Sequence, residues 1–214
     1  MKNTILLCTI TFLSFFACYS QPTNNKENKR KHEASFDLGA CYSPVLSKDL
    51  FGFNLDMKYY PLKKIGTGLS ISMTGKKISD DYSYSIAKPI LYYYEFGWIN
   101  QYDIIQRDKI RVGLNINNGI SLSVLCDNSV KEKYWTKFGY TYKAKEVAKS
   151  YLGFFQPGLD VSFRLYSEKH YPDFYLTTKA KYRFAYGNTK FGELTDYSNY
   201  YFGLGISVIG FIEE

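Results

Sequence analysis

The chain has 214 residues, among them 22 Tyr, 16 Phe and 16 Gly; 19% are aromatic, only 22% are charged, and the net charge is +7. That length suits one domain of ordinary size or one small membrane barrel. The composition excludes a disordered chain, a collagen-like repeat and a coiled coil, and it argues against a helical bundle, because Tyr, Phe, Gly and Thr are poor residues for long surface helices.

Residues 1–20 read as a secretory signal peptide: Lys2 supplies the positive start, residues 5–17 the apolar stretch, and Ser20 a small residue before Gln21 and Pro22, where cleavage is expected. The alternative is lipidation at Cys18, although Phe15-Phe16-Ala17 is a poor lead-in for it. No later stretch has the run of roughly 18 apolar residues that a membrane-spanning helix needs. Residues 21–33 carry Lys26, Lys29, Arg30 and Lys31 and are expected to form a flexible basic periplasmic tail rather than a nucleic-acid arm. Cys41 and Cys126 remain after export. Two Cys are too few for a disulfide framework, and their segments fall on opposite sides of a closed sheet, so no bond is expected.

Strict alternation then runs through residues 34–214 in eight segments. Phe36, Leu38 and Ala40 alternate with Asp37 and Gly39; Phe51, Phe53, Leu55, Met57 and Tyr59 with Gly52, Asp56 and Lys58; Ile65, Leu69, Ile71 and Met73 with Gly66, Gly68 and Ser70. The fourth segment, about 89–101, sets Ile90, Tyr92, Tyr94, Phe96 and Trp98 against Glu95 and Gly97. The fifth sets Ile110, Val112, Leu114 and Ile116 against Arg111, and the sixth sets Phe155, Leu159, Val161, Phe163 and Leu165 against Asp160 and Arg164. The seventh sets Phe174, Leu176, Ala180, Tyr182 and Phe184 against Lys179, Lys181 and Arg183, and the last sets Phe202, Leu204, Ile206 and Val208 against Gly203 and Gly205. Short connections (61–64, 104–109, 167–171) alternate with longer ones (41–50, 75–88, 127–150, 187–199). Segments long enough to cross a bilayer, short turns on one side and long loops on the other describe an all-β fold: an eight-stranded antiparallel up-and-down transmembrane β-barrel.

Alternation alone leaves the barrel's sidedness open, since a soluble barrel has the same period with its apolar face inward. The polar set decides. It is rich in glycine, which suits the crowded interior of a small barrel, and its long charges are of both signs. Asp37, Asp56, Glu95 and Asp160 are expected to pair in the lumen with Lys58, Arg111, Arg164, Lys179, Lys181 and Arg183. The reverse arrangement would put Lys179, Lys181 and Arg183 on lipid at about 2–4 kcal/mol each at the midplane. Aromatics at segment ends (Tyr59, Tyr60, residues 92–94, Trp98, Tyr102, Tyr151, Tyr200, Tyr201) read as interfacial girdles.

These patterns resemble the small eight-stranded outer-membrane β-barrel proteins of Gram-negative bacteria, the OmpA/OmpX-like porin-family barrels, over about 34–212. The resemblance implies the cell outer membrane, contact with its lipids and lipopolysaccharide, and folding by the barrel-assembly machinery, with a monomer favoured; because the chain ends with the last strand, no second, peptidoglycan-binding domain is expected. The C-terminal aromatic of that group has its counterpart in Phe211, but Ile212, Glu213 and Glu214 follow it.

Chemistry is sparse. His32 sits in the tail and His170 in a short turn beside Tyr171 and Pro172, away from any acid and nucleophile. No metal-ligand spacing, phosphate loop or nucleophile elbow occurs, so no enzyme, metal or cofactor is expected. The 127–150 connection interleaves Lys131, Lys133, Lys137, Lys143, Lys145 and Lys149 with Tyr134, Trp135, Phe138, Tyr140 and Tyr142, against Asp127, Glu132 and Glu146. It is expected to meet lipopolysaccharide or another polyanion outside the cell, or to extend the fifth and sixth strands as a hairpin. The expected function is membrane integrity, surface adhesion or ligand contact through the loops, with the lumen filled by side chains. The alternatives are a soluble periplasmic lipocalin-like barrel for an apolar ligand and a lipid-modifying outer-membrane enzyme.

Overall fold

A computed structural model of the chain describes residues 32–137, 139–168 and 172–212, with the side chains of His32, Phe211 and Ile212 set aside. The signal peptide, nearly all of the basic tail, Phe138 and His170 lie outside the described residues. The strands are β1 His32–Val45, β2 Lys48–Leu62, β3 Ile65–Lys77, β4 Pro89–Gln106, β5 Ile110–Thr136, β6 Gly139–Tyr166, β7 Asp173–Tyr182, β8 Phe184–Tyr186 and β9 Tyr200–Ile212. Arg183 interrupts one long strand, so that β7 and β8 follow each other along β6. Every pairing is antiparallel, successive strands are neighbours, and β1 pairs with β9 while β5 pairs with β6. The sheet therefore closes into a barrel of eight staves, which leaves no sheet edge within the wall.

Sidedness follows from burial. Phe53 is 72% exposed, Leu204 53% and Phe163 46%, whereas Asp56, Asp160 and Lys179 are almost wholly buried. The apolar face points out and the charged face points in, the reverse of a soluble barrel. Such a surface is stable only against hydrocarbon, where its strands need no partner beyond one another.

Glycine permits the tight curl. Gly39 and Gly205 are direct partners on β1 and β9, and a Cβ on Gly39 would stand 2.5 Å from the Leu204 carbonyl oxygen. Gly97 and Gly119 pair in the same way on β4 and β5, where a Cβ on Gly119 would meet the Phe96 oxygen at 2.1 Å. At Gly39, Gly205 and Gly119 the steric demand comes from the neighbouring strand's backbone, whereas at Gly97 it comes first from the Asn117 side chain.

Three elements differ from the sequence expectation. β1 begins at His32, so His32 and Glu33 belong to the wall and not to the tail; both pair with β9. The 41–50 connection is a two-residue turn, since pairing continues to Val45↔Lys48. Leu46 and Ser47 take it with φ of 53° and 57°, a strained conformation for such residues, while Leu46 is buried and its N–H donates to the Asp196 oxygen at 2.9 Å. β4 runs on to Gln106, past the expected end at Gln101.

Outward Tyr59, Tyr102, Tyr151 and Tyr200 are exposed as girdle residues require, but Tyr60, Tyr93 and Tyr201 point inward and are buried. At the rim nearest the long loops, ring contacts run from Phe51 through Tyr42, Phe202, Tyr200, Tyr182 and Phe184 to Phe155, crossing from β2 to β6 at one level. Amphipathic rings are stable at that depth. Replacing outward Ile206, midway along β9, with Lys is expected to cost about 2–4 kcal/mol, against less than about 1 kcal/mol for Ile206→Val, in urea unfolding from lipid vesicles.

Candidate functional site: a charged lumen beneath an apolar lid

Inward side chains form successive levels. At the end where β1 begins and β9 finishes, which also holds the short turns, Arg111 binds Asp103 at 2.7 Å and Glu33 at 3.0 Å, with its guanidinium 5.2 Å from the Tyr60 ring centroid. Gln101 Nε2 donates to Asp103 at 2.6 Å and to the Tyr60 hydroxyl at 3.2 Å. Arg164 stays at this end, half-buried, on Asp173 at 3.2 Å and the Tyr175 hydroxyl at 3.0 Å, away from the central charges.

The middle level joins three lysines to three aspartates. Lys58 Nζ lies 2.9 Å from Asp37 and 3.5 Å from Asp160, and donates to the Gln101 side-chain oxygen at 2.8 Å. Lys179 lies 2.6 Å from Asp56 and 3.7 Å from Asp37, and Lys181 lies 3.9 Å from Asp56. Ser70 donates to Asp56 and Asn115 to Asp160, at 2.6 and 2.7 Å. Residual space beside Ser35, Asp37, Lys58, Arg111 and Asp160 is about 10 Å³, roughly one water.

Above this, Arg183 is fully buried where it breaks the seventh stave. Its guanidinium binds Glu95 at 2.8 Å and donates to Ser43 Oγ at 2.8 Å, the Pro44 oxygen at 2.9 Å and the Tyr197 oxygen at 2.7 Å, while lying 4.7 Å from the Tyr93 ring centroid. Ser72 donates to the other Glu95 oxygen at 2.8 Å. One cation thus ties β4, the end of β1 and the 187–199 segment together.

Over Arg183 the lumen turns apolar. Val45, Leu46, Leu50, Ile86, Leu91, Tyr93, Leu125, Leu152, Phe191 and Tyr197 make one buried cluster that draws on the long connections and the strand ends beneath them. Lys48 pairs with Asp80, and the Tyr84 hydroxyl donates to the Lys190 oxygen, so the connections also bind one another.

Outside the mouth, β5 and β6 continue as a hairpin past Asp127, the last β5 residue paired with β4. Asp127 anchors the base. Its carboxylate accepts from the Ser129 hydroxyl and backbone N–H, at 2.6 and 2.8 Å, and these bonds hold it below the usual carboxylate range. Lys131, Lys133 and Trp135 stand on β5, Lys143 and Lys145 on β6, and Lys137 in the turn; all six are exposed.

The sequence reading missed Glu33, Asp103, Gln101 and the lid. Two of these signals were within reach: Asp103 continues the inward series of residues 95, 97, 99 and 101, and Glu33 extends that of Asp37 back through Ser35. The lid carries no periodic signal.

A closed sheet with ionised groups inside and hydrocarbon-facing residues outside defines an integral membrane β-barrel. No protein-family model and no curated protein matches the chain. Among solved structures it is similar to Ail, the attachment invasion locus protein of Yersinia pestis, at 15% identity and TM-score 0.50, over 85% of this chain and 100% of that one. Neisserial surface protein A is also similar, at 11% identity and TM-score 0.46 over 84% of this chain and 95% of that one. So is the N-terminal β-barrel domain of Pseudomonas aeruginosa OprF, at 12% and 0.40 over 85% and 100%. At these identities the likeness is one of fold. The shared fold is that of a small eight-stranded membrane barrel, and the exposed belt of Phe, Leu and Ile suits a lipid surround.

Arg183→Ala is expected to destabilise the barrel by about 3–5 kcal/mol, because Glu95 is left buried and uncompensated. Gel migration of unheated samples will then shift to the unfolded position at a lower temperature, and adding Glu95→Gln will restore part of the loss.

Proposed function

We propose that this is a non-enzymatic outer-membrane protein whose work, in membrane integrity, surface adhesion or ligand contact, is done by its outward-facing surface. The observation that carries this reading is the disposition of its polar groups. Inside the barrel, Lys58, Arg111, Lys179 and Arg183 each face a carboxylate within 3.0 Å, so these cations are engaged in holding the wall together. The carboxylates are answered in turn by lysine, arginine, serine and asparagine, which favours ion pairs over a general acid or base. The accessible chemistry lies on the β5–β6 hairpin, whose lysines and aromatics would stand among the lipopolysaccharide chains of the outer leaflet.

With its three charged levels and apolar lid, the lumen acts as a plug rather than a pore. Lipids of the outer membrane are the barrel's solvent, the barrel-assembly machinery its route there, and the monomer its working form. A soluble lipocalin-like carrier would need the Phe, Leu and Ile set inside, where this barrel holds its charges.

Two measurements test the proposal. The protein should sediment with outer membranes and show heat-modifiable migration on gels; release without detergent would sink the membrane assignment. Planar-bilayer recordings of the purified barrel should lack large, stable conductance steps, and steady pores would contradict the plugged lumen.

A further inference from the structure

The β5–β6 hairpin has two unlike faces. Cross-strand partners Lys131↔Ala144, Lys133↔Tyr142 and Trp135↔Tyr140 alternate with Glu132↔Lys143, Tyr134↔Thr141 and Thr136↔Gly139. Side chains alternate across a ribbon, so the first set shares one face and the second set the other.

On the second face a carboxylate, Glu132, stands opposite Lys143. The Tyr134 hydroxyl donates to Glu132 at 3.0 Å, and Lys143 Nζ lies 5.4 Å from the Tyr134 ring centroid. The first face holds Lys131, Lys133, Trp135, Tyr140 and Tyr142 and no carboxylate. Trp135 and Tyr140 stack with centroids 4.2 Å apart and planes inclined by 14°, and Lys133 Nζ lies 3.5 Å from the Tyr140 centroid. Lys131 donates to the neutral amide oxygen of Asn128. Trp135 is 73% exposed and Tyr142 65%, so wide aromatic surface stands in water beside two cations that have no ion pair among the described residues.

We propose that this Trp135–Tyr140–Lys133 face binds an anionic polysaccharide chain, with sugar rings against the open aromatic surfaces and acidic substituents on Lys131 and Lys133; this rests on reading the barrel as an outer-membrane protein that works through its outer surface. Two properties select that ligand. The charge is complementary, and aromatic side chains held on a paired ribbon lose little freedom when they are covered. Height selects the source. Strands rise about 3.3 Å per residue, which sets Trp135 on the order of 20 Å beyond the wall strands that end near Asp127. That lies above the headgroup phosphates of the leaflet and at the level of extended sugar chains.

The test uses the full barrel, folded in detergent free of lipopolysaccharide, with a sulfated glycosaminoglycan octasaccharide, a neutral dextran octasaccharide and inorganic polyphosphate as probes. The sulfated sugar should bind and dextran should not. Lys133→Gln should weaken that binding about tenfold, while Lys143→Gln, the same charge change on the opposite face, should change it less than twofold. Trp135→Ala should weaken sulfated-sugar binding about tenfold and leave polyphosphate binding unchanged. Equal losses from Lys133→Gln and Lys143→Gln, or an unaltered Trp135→Ala, would reduce the effect to general charge attraction and overturn the proposal. So would equal binding to vesicles carrying full-length and sugar-truncated lipopolysaccharide, which would assign the contact to the lipid headgroup. Heat-modifiable migration and outer-membrane sedimentation, measured on the same variants, separate this failure from failure of the membrane assignment.

Discussion

Lys58, Lys179 and Lys181 share the middle of the barrel with Asp37, Asp56 and Asp160, and with these residues inside, the closed sheet is stable only when their charges face one another. A lone ammonium or carboxylate in so dry a space would cost several kcal/mol, and removing one partner leaves the other in that condition. Turning the side chains outward is no escape, because hydrocarbon is a worse host than the lumen. The inside-out pattern of β1, β2, β6 and β7, which carry these six residues, follows from this. Where the strands curl most tightly around the pairs, as at Gly39 and Gly205, a neighbouring backbone leaves no room for a Cβ.

A different balance governs the end of the long connections. There the inward positions turn apolar, and the connections fold down as a small second core. The left-handed conformations of Leu46 and Ser47 are tolerated because the Leu46 side chain is buried in that core and its N–H bonds to Asp196. Arg183 is the junction between the two regimes. It gives up strand pairing between β7 and β8, and its guanidinium serves the charged lumen on one side and the carbonyls of the lid on the other. The lid and the wall are therefore one cooperative structure, which is why the long connections here are not loose.

Rigidity also shapes what the outside of the protein can do. The hairpin is continuous with two wall strands, and Asp127 fixes its base, so its aromatics and lysines are held by a paired ribbon rather than a mobile loop. Such a platform binds without first having to be ordered. The alternation that separates lumen from lipid in the wall separates, in the hairpin, a face that sets Glu132 opposite Lys143 from one whose cross-strand pairs hold no carboxylate.

Much of this was legible in the chain. The period of two, the even number of segments, the glycine-rich polar set and the two-signed charges were sufficient for the fold and its sidedness, because each is a property of successive residues on one strand; Arg164, expected among the central charges, instead pairs with Asp173 at the rim. What they could not supply is which residues meet across the barrel. Alternation says that Arg111 and Arg183 point inward; the stagger of the closed sheet decides that one meets Glu33 and Asp103 and the other Glu95 and the Tyr197 carbonyl. The same limit explains the inward Tyr60, Tyr93 and Tyr201, which a girdle pattern assigns to the membrane interface, and the lid, whose residues come from five separate stretches. Strand periodicity is a local consequence of backbone geometry, whereas register and lid packing depend on contacts between distant parts of the chain, and these exist only once the barrel has closed.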